Sequence, residues 1–453
     1  MLAAMPPTPP TTPEPGEARI RDRGDACPGA LRLHLAEDGR LARLRLPAGR
    51  LTSRQVEALA AAAETLGDGR ISITSRGNAE LRGLADDCGA ELAALLAEAG
   101  LLPSPTHERV RNIVASPTAG LDGLGHADVQ LWARELDAAL CAEPRAASLS
   151  GRFLFVLDDG RGDVAPLGGD VSLVAGEDGS VLLRLGPTAF RLTAADAVRA
   201  ALAAALAFLD AAEAAGNGAW RPQELPDDHA PDWAGALTAA GITAEPVAEP
   251  GREPVRIPEP VRVHEPVSDP GREPVRVPEP VPAPPLPASP PPAPGVLRGG
   301  ALYVLAPLGR LTAAQLRALL PADEIRLTPW RGVVVVGTGT RTAADRLARL
   351  ESYGLITRPD APGAGVTVCT GRPGCAKSLA DVRADALAAP AGRLPVHFSG
   401  CARGCGHPYG DRIEVLATGD DTYLVDGAPT SRTSLSGAVA AARTPVDHTP
   451  HTR

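Results

Sequence analysis

Four cysteines near the C-terminal end of the chain form two close pairs. Their spacing is C-x5-C followed, after 25 intervening residues, by C-x3-C, and they are Cys369, Cys375, Cys401 and Cys405. A [4Fe–4S] cluster is held by four thiolates, one at each iron. Glycines surround both pairs and allow the backbone to pass close to a bulky inorganic group. The pattern predicts a [4Fe–4S] site in this part of the chain.

Zinc is the alternative metal, because a structural zinc site can also use four thiolates. Zinc ribbons prefer shorter pairs, from C-x2-C to C-x4-C, so the five-residue gap of the first pair fits zinc poorly. Unrelated buried thiols explain the grouping less well, because only Cys27, Cys88 and Cys141 occur elsewhere in 453 residues. The spacing therefore favours iron and sulfur and leaves zinc as the rival.

The length and charge of the chain favour an enzyme over a nucleic-acid-binding or membrane protein. The 453 residues are enough for about three domains. The net charge is −9 and no basic patch with interleaved aromatic residues occurs, which argues against a nucleic-acid partner. The apolar run over 200–209 is too short to span a bilayer, and residues 1–16 lack the pattern of a secretory signal. Because the clustered thiols must stay reduced, we expect a cytoplasmic protein.

A proline-rich segment over 246–296 divides the chain into two halves. It contains a 20-residue duplication that starts at Pro250 and again at Pro270, and its composition predicts a semi-rigid extended linker. Outside it, residues 46–55 resemble residues 306–315. In each copy a threonine precedes a glutamine by three residues, which predicts a capping box at a helix start. The predicted pairs are Thr52 with Gln55 and Thr312 with Gln315.

Each copy continues into a second strand and a turn that contains an arginine, Arg76 in the first half and Arg331 in the second. Two strand–helix–strand units with one signature indicate an internal duplication. Further strands are predicted over 152–157, 171–174, 181–185, 366–368 and 396–398, with a hairpin over 413–417 and 422–425 and helices over 193–215 and 434–443. Both cysteine pairs thus follow directly after strands, where α/β proteins place their chemistry.

These features resemble the nitrite and sulfite reductase family. Residues 74–80 are similar to that family's T-x-R-x-x-x-Q turn, which contacts a tetrapyrrole, and residues 111–117 resemble its R-N-x-x-x-x-P stretch. The cysteine spacing also matches. The resemblance implies an α+β fold with a pseudo-two-fold duplication, in which each half is a ferredoxin-like unit followed by an α/β domain. The expected divisions are a tail (1–18), two first-half domains (19–100 and 101–245), the linker (246–296), two second-half domains (297–360 and 361–443) and a tail (444–453).

One branch of that family fits best, the branch that forms precorrin-3B in aerobic cobalamin biosynthesis. Residues 23–29, with an arginine shortly before Cys27-Pro-Gly, and residues 400–408 resemble its versions of two motifs. The resemblance implies a monooxygenase that hydroxylates precorrin-3A at C20 with O2 and closes a γ-lactone. It also implies NADH as the electron source, a separate electron-donor protein and a further non-haem iron whose ligands the sequence does not identify.

Arginines are the expected partners of the many carboxylates on such a macrocycle, because a guanidinium binds a carboxylate in a bidentate manner. Arginine alone is a weak signal here, since 44 of the 45 basic residues are arginine and only Lys377 is lysine. Arg76 and Arg111 match anion-contacting positions of the family, and Arg152 stands where it often has lysine. The weaker candidates are Arg82, Arg109 and Arg331.

Two departures and two alternatives accompany this prediction. Glu80 stands at the glutamine position of the turn motif, and Leu154 stands where reductases often carry a second lysine. A dense cationic pocket for sulfite or nitrite is therefore not expected, but a sirohaem-dependent reductase, with Cys405 bridging to sirohaem, remains the main alternative. An iron–sulfur carrier or sensor is the second. His397 and His407 lie beside the cysteine pairs, and a structural role is favoured over iron ligation for both. No catalytic residue is assigned.

Overall fold

The computed structural model describes residues 25, 27–248, 281–282, 288–337, 342–408 and 410–444. Most of the predicted linker and both predicted tails, except Thr444, lie outside this part of the chain. So do residues 23, 24 and 26 of the N-terminal motif. No helix of the described residues has the length and apolar character needed to cross a bilayer.

The strands of the first half are β1 (His34–Ala36), β2 (Gly39–Leu44), β3 (Arg50–Leu51), β4 (Arg70–Ile73), β5 (Ala79–Leu84), β6 (Ile113–Ala115), β7 (Phe155–Asp158), β8 (Val171–Ala175), β9 (Ser180–Leu185), β10 (Thr188–Thr193) and β11 (Glu245–Ala248). Those that follow are β12 (Val281–Pro282), β13 (Gly295–Val296), β14 (Leu302–Leu305), β15 (Arg310–Thr312), β16 (Glu324–Leu327), β17 (Gly332–Val336), β18 (Val366–Val368), β19 (Val396–Ser399), β20 (Ile413–Ala417), β21 (Thr422–Val425) and β22 (Ala428–Ser431). The α-helices are α1 (Ser53–Leu66), α2 (Gly89–Glu98), α3 (Val129–Ala142), α4 (Ala197–Ala215), α5 (Trp233–Ala239), α6 (Ala313–Ala318), α7 (Ala343–Ser352), α8 (Val382–Leu387) and α9 (Leu435–Ala442).

The two halves exchange one strand each. The first five-stranded sheet has the order β1-β2-β5-β4-β15, so its last strand comes from the second half. The second has the order β13-β14-β17-β16-β3, and its last strand comes from the first half. The apolar faces of both sheets and helices α1 and α6 enclose one common core. Neither sheet is complete without the other half of the chain.

The repeated ten residues adopt the same local structure in both halves, as predicted. The Thr52 hydroxyl accepts a hydrogen bond from the Gln55 amide at 3.3 Å, and the Gln55 side chain accepts one from the Thr52 amide at 3.0 Å. At Thr312 and Gln315 the two distances are 3.1 and 2.9 Å. Because a capping box satisfies two helix-end amides at once, it fixes where α1 and α6 begin.

Two further sheets follow the duplicated units. One has the order β12-β11-β10-β9-β8-β7-β6, and its strands β6, β7 and β8 are parallel. The other has the order β18-β19-β20-β21-β22, and its strands β18, β19 and β20 are parallel. Each half thus places the carboxyl ends of three parallel strands at one sheet edge. In the second half the first cysteine pair follows the carboxyl end of β18, and the second pair follows that of β19.

One helix start was predicted wrongly. The helix expected over 193–215 begins at Ala197, because Thr193 is the last residue of β10 and pairs with Ser180. The cap signal that suggested Thr193 is present, since its hydroxyl donates to Asp196 at 3.0 Å, but it closes a short 3-10 turn before α4. The helix ends as expected at Gly216, whose φ of 60° suits glycine.

Both ends of the proline-rich segment contact the first half. Strand β12 pairs in parallel with β11, with Val281 opposite Val247. Farther along, the amide of Ser289 donates to the Gly162 carbonyl at 3.3 Å and its hydroxyl donates to the Arg161 carbonyl at 2.8 Å. Strands β11 and β12 flank residues 251–280 in the sequence, and they are held side by side by this pairing.

Replacing residues 251–280 by about six glycine and serine residues should leave the melting temperature within a few degrees of the wild-type value. The entropy of loop closure changes by only about 0.6 kcal/mol for each doubling of loop length. Differential scanning calorimetry of the full chain and the shortened chain measures this. A fall of ten degrees or more would mean that the replaced residues pack on the folded halves.

Candidate functional site

The two cysteine pairs lie on neighbouring parallel strands. Cys369 follows β18 and Cys401 follows β19 by two residues, in a register that pairs Val368 with Phe398. The Gly400 amide donates to the Cys369 sulfur at 3.2 Å. Burial raises the pKa of Cys369, and the thiolate charges of Cys401 and Cys405 raise it further. The structure therefore brings these three thiols into one small region.

The loop that carries Cys375 is fastened to the second pair. The amide of Leu379 donates to the Gly400 carbonyl at 2.7 Å, and the amide of Ser378 donates to the Cys375 carbonyl at 3.0 Å. A Cβ atom at Gly400 would lie 1.9 Å from the Ser378 hydroxyl, so this position has room only for glycine. From the first half, Arg82 donates to the Gly374 carbonyl at 2.7 Å. All four cysteines thus belong to one cradle.

The spacing of the thiols can be compared with what each metal needs. Among the described residues, the one trio of His, Cys, Asp or Glu side chains with ligand atoms all within 4.8 Å of one another is Asp158, Asp159 and Asp163. No three cysteine sulfurs approach that closely. Zinc bonds of about 2.3 Å in a tetrahedron would hold sulfurs about 3.8 Å apart. The chemistry of the donor set, four thiolates, is that of a [4Fe–4S] cluster with one thiolate at each iron.

The three aspartates lie at the end of β7 and are engaged internally. Asp158 accepts hydrogen bonds from four backbone amides of the turn that follows it, at 2.8 to 3.0 Å. Asp159 forms an ion pair with Arg161 at 2.7 Å, and Asp163 accepts from the Ser116 hydroxyl at 2.6 Å. Burial raises the pKa of Asp163 to about 7. These contacts close a turn, and they give no ligand set for a second iron.

Two of the three predicted substrate arginines lie together. The guanidinium of Arg76, in the turn between β4 and β5, donates to the Arg152 carbonyl at 3.3 Å. Burial, followed by repulsion from Arg45 and Arg221, lowers the pKa of Arg76 to about 10. Arg152 is exposed and stacks on Trp220, with 4.8 Å from its guanidinium carbon to the ring centre. Within the described residues, Arg76 makes no ion pair with a carboxylate closer than 4 Å.

The third predicted arginine serves the scaffold. Arg111 is buried and forms a bidentate ion pair with Asp137 of α3, at 2.6 and 2.7 Å. The next residue, Asn112, accepts from the Asn78 side chain at 3.1 Å and donates to the Phe153 carbonyl at 3.0 Å. The R-N stretch therefore joins the Arg76 turn to the segment that carries Arg152, and it positions those two arginines.

The two arginine turns of the duplicated units touch each other. Gly77 approaches the Leu327 carbonyl so closely that a Cβ atom would lie 2.8 Å from that oxygen. Trp330, next to Arg331, packs against an apolar group that includes buried Leu154. Trp330 and Leu154 thus belong to one apolar cluster, and they lie close in sequence to Arg331 and Arg152 respectively.

Arg331 and Arg383 lie beside the cysteine cradle. Arg331 donates to the Gly406 carbonyl at 2.5 Å, and burial lowers its pKa to about 10. Arg383, on α8, donates to the carbonyls of Leu308 at 2.9 Å and Cys369 at 3.3 Å. Burial, followed by repulsion from Arg310 and Arg331, lowers its pKa to about 9. Sequence reasoning missed Arg383, because it lies in a short helix outside every motif.

The other candidates have internal partners. Glu80, at the glutamine position of the turn motif, accepts from Arg43 at 2.7 Å and from Arg82 at 3.2 Å. Arg82 also pairs with Asp38 at 2.8 Å, so it bridges the first sheet and the cysteine cradle. Arg109 donates to the Asp25 carbonyl at 3.2 Å.

Two further side chains, Cys27 and His397, lie in or beside the sequence motifs. Cys27 accepts a hydrogen bond from Arg45 at 3.0 Å. His397 is 2 % exposed, its Nδ1 lies 2.9 Å from the Thr367 hydroxyl, and its buried Nε2 has no hydrogen-bond partner among the described atoms. Burial lowers the pKa of His397 to about 3, so its ring is neutral near pH 7. A neutral ring with one occupied nitrogen accords with a structural histidine.

Comparison with known proteins identifies the fold. Residues 34–99 match the nitrite/sulfite reductase ferredoxin-like half domain. The NirA protein of Mycobacterium tuberculosis has a similar structure, with a TM-score of 0.62 over 88% of this chain and 79% of that chain at 18% identity. The fold is that of the nitrite and sulfite reductases. The α+β class and the duplicated reductase-like arrangement predicted from the sequence are confirmed.

Relatives in sequence fall into two groups. A precorrin-3B synthase from Sinorhizobium sp. is 27% identical over 463 aligned residues, which cover 95% of this chain and 90% of the relative. Ferredoxin–nitrite reductases are more alike over shorter stretches. That of Synechococcus elongatus is 36% identical over 27% of this chain and that of Leptolyngbya laminosa is 40% identical over 18%, each covering a quarter or less of the reductase. The long alignment includes both halves, whereas each short one covers about a quarter of the chain or less.

Proposed function

We propose that this protein is a precorrin-3B synthase, an oxygen-dependent monooxygenase that hydroxylates precorrin-3A at C20 and closes a γ-lactone. The main support is that one fold holds an arginine pair, Arg76 and Arg152, an apolar cluster with Trp330 and Leu154, and the four-cysteine cradle. The alignment with a precorrin-3B synthase over 95% of the chain agrees with this arrangement.

Cys369, Cys375, Cys401 and Cys405 are the proposed ligands of a [4Fe–4S] cluster, which would deliver single electrons to the reaction. The donor set supports this, because thiolates are the ligands that such clusters prefer. The Gly400 amide, which donates to Cys369 at 3.2 Å, would stabilise the thiolate form. NADH is the proposed electron source through a separate donor protein, since no G-x-G-x-x-G follows a strand in this sequence.

Arg76 and Arg152 are the proposed partners of substrate carboxylates. Arg111, which is paired with Asp137, holds the R-N stretch that positions them. Arg76 is crowded by protein yet reached by solvent, and its hydrogen bond goes to a carbonyl. The acid that acts on it, Asp170, is paired with Arg221, so a carboxylate of the macrocycle would supply a direct partner. Trp330, half-buried and packed against Leu154, would face the flat apolar part of a tetrapyrrole.

The electron and atom balance of the proposed reaction is that of a monooxygenase. One atom of O2 enters the product at C20, and the other leaves as water after two electrons and two protons are supplied. The lactone oxygen comes from an acetate side chain of the substrate. An enzyme-held carboxylate close to the reacting carbon needs no second oxygen from the gas, because fixed proximity greatly favours ring closure.

A sirohaem-dependent nitrite or sulfite reductase is the second candidate, and the partial matches to two nitrite reductases favour it. Against it stands the chemistry of the arginine region. Leu154 is 3 % exposed and apolar, and Arg43 and Arg82 are paired with Glu80 and Asp38. A small anion requires dense positive charge around it, whereas a large macrocycle binds through charges spread over its rim.

The ligand assignment predicts that each Cys→Ser change at 369, 375, 401 or 405 removes the brown colour and the acid-labile sulfide. Serine is a poor ligand for a soft iron–sulfur group. Iron and sulfide analysis of anaerobically purified protein measures the loss. Cys141→Ser is the matched control and should retain both. Retention in any of the four variants together with loss in Cys27→Ser would refute the assignment.

Arg76→Gln should weaken binding of precorrin-3A by about one to two decades, because a charge-assisted hydrogen bond contributes about 1.5–3 kcal/mol. Its iron and sulfide content should stay at the wild-type level. Arg111→Gln should instead lower the free energy of unfolding, because it leaves Asp137 without its bidentate partner. Anaerobic absorbance titration and urea denaturation measure the two effects. Equal precorrin affinity in Arg76→Gln and wild type would move the substrate to another surface.

The reaction itself separates the two candidate functions. Protein purified from cells that lack precorrins should contain iron and sulfide without sirohaem, and it should consume precorrin-3A only when O2 and reductant are both present. Mass spectrometry after reaction with 18O2 should find one labelled atom, in the new hydroxyl group. Co-purified sirohaem with anaerobic reduction of nitrite or sulfite would establish the reductase instead.

A further inference from the structure

Arg331 and Arg383 are two half-buried cations with no carboxylate partner. Within the described residues, neither forms an ion pair, and the hydrogen bonds of both guanidinium groups go to backbone carbonyls. A buried charge normally has a partner, because its desolvation is costly. Arg443 is also buried and donates only to backbone carbonyls, so burial without an acid is not by itself the sign of a ligand. What distinguishes Arg331 and Arg383 is that they lie beside the cysteine loops.

The duplication supplies an internal comparison. Arg50 on β3 lies opposite Arg326 on β16, and Arg310 on β15 lies opposite Ser72 on β4. Near the first pair, Glu324 accepts hydrogen bonds from both arginines, with contacts of 2.7 Å to the Nε of Arg50 and 2.6 Å to that of Arg326.

The strand position that corresponds to Glu324 in the other copy is Arg70. It lies opposite Thr312 on β15, two residues from Arg310. The contact of Arg310 with Asp68 is 4.0 Å long. Arg50 and Arg326 thus share a carboxylate at hydrogen-bond distance, whereas among the described residues no carboxylate lies that close to Arg310.

The contacts indicate which anion completes this site. Arg383 is anchored to the Cys369 carbonyl and Arg331 to the carbonyl of Gly406, next to Cys405. The thiolate of Cys369 acts electrostatically on both guanidinium groups. Four thiolates outweigh the positive charge of a [4Fe–4S] core, so a cluster in this cradle is anionic in both of its common oxidation states.

We infer that Arg331 and Arg383 are the counter-charges of the iron–sulfur cluster and raise its reduction potential. This inference rests on the proposed cluster but not on the proposed substrate. The reduced cluster carries one more negative charge than the oxidised cluster. Fixed positive charges close to it stabilise the reduced form more, because net charge around a cluster sets its potential. The two arginines act on the cluster through electrostatics and contact no substrate.

The test is a redox titration of the purified holoprotein, followed by visible absorbance and electron paramagnetic resonance. Arg383→Gln and Arg331→Gln should each shift the reduction equilibrium three- to tenfold towards the oxidised cluster, which is about 30–60 mV for one electron. Arg383→Lys keeps the charge and should remain close to the wild-type value. Arg50→Gln removes an arginine that is paired with Glu324, and this variant is the matched control, with an unchanged potential.

The other outcomes are also decisive. Unchanged potentials in both glutamine variants, with full iron and sulfide, would overturn the inference. A tenfold loss of precorrin-3A affinity at unchanged potential would assign the arginines to substrate instead. Should a glutamine variant fail to load the cluster while Arg383→Lys loads it, the requirement for charge is supported. Wild-type protein without iron and sulfide would refute the proposed cluster itself, which is a different result from a loaded protein with insensitive potential.

Discussion

The reciprocal exchange of β3 and β15 is the constraint on which the rest of the structure depends. Each five-stranded sheet takes its last strand from the other half, so the two halves cannot separate without exposing a sheet edge. The exchange also fixes the two arginine turns against each other through the close approach of Gly77 to Leu327. A site that needs residues from both halves at one place is possible only because this relation is rigid.

Charge is distributed around this frame in an uneven way. Many arginines are neutralised where they stand, as Arg111 is by Asp137 and Arg82 is by Asp38 and Glu80. Arg76, Arg331 and Arg383 instead donate to backbone carbonyls. The buried Arg443 does the same, so what distinguishes the other three is their position beside Arg152 or beside the cysteine loops.

Local signals were predicted well from the sequence, and tertiary partners were not. The capping boxes at Thr52 and Thr312 and the strands that lead into the cysteines depend on neighbours within a few residues. By contrast, Arg111 is paired with Asp137, 26 positions away, and no spacing rule identifies that partner. Arg383 was missed for the same reason, since its importance comes from its position on α8 beside Cys369. Thr193 makes the predicted capping contact with Asp196, but it is also the last residue of β10, so the helix begins later.

The strand exchange concerns the evolution of the two duplicated halves. Two copies that complete each other's sheets are arranged like a domain-swapped dimer, in which each subunit depends on its partner to fold. Joining the copies in one polypeptide replaces an encounter between molecules by an intramolecular one at high effective concentration. Once joined, the copies no longer had to be identical. One copy carries cysteines after its parallel strands and the other carries a closed aspartate turn at the corresponding sheet edge, so equivalent positions of a symmetric pair now hold different side chains.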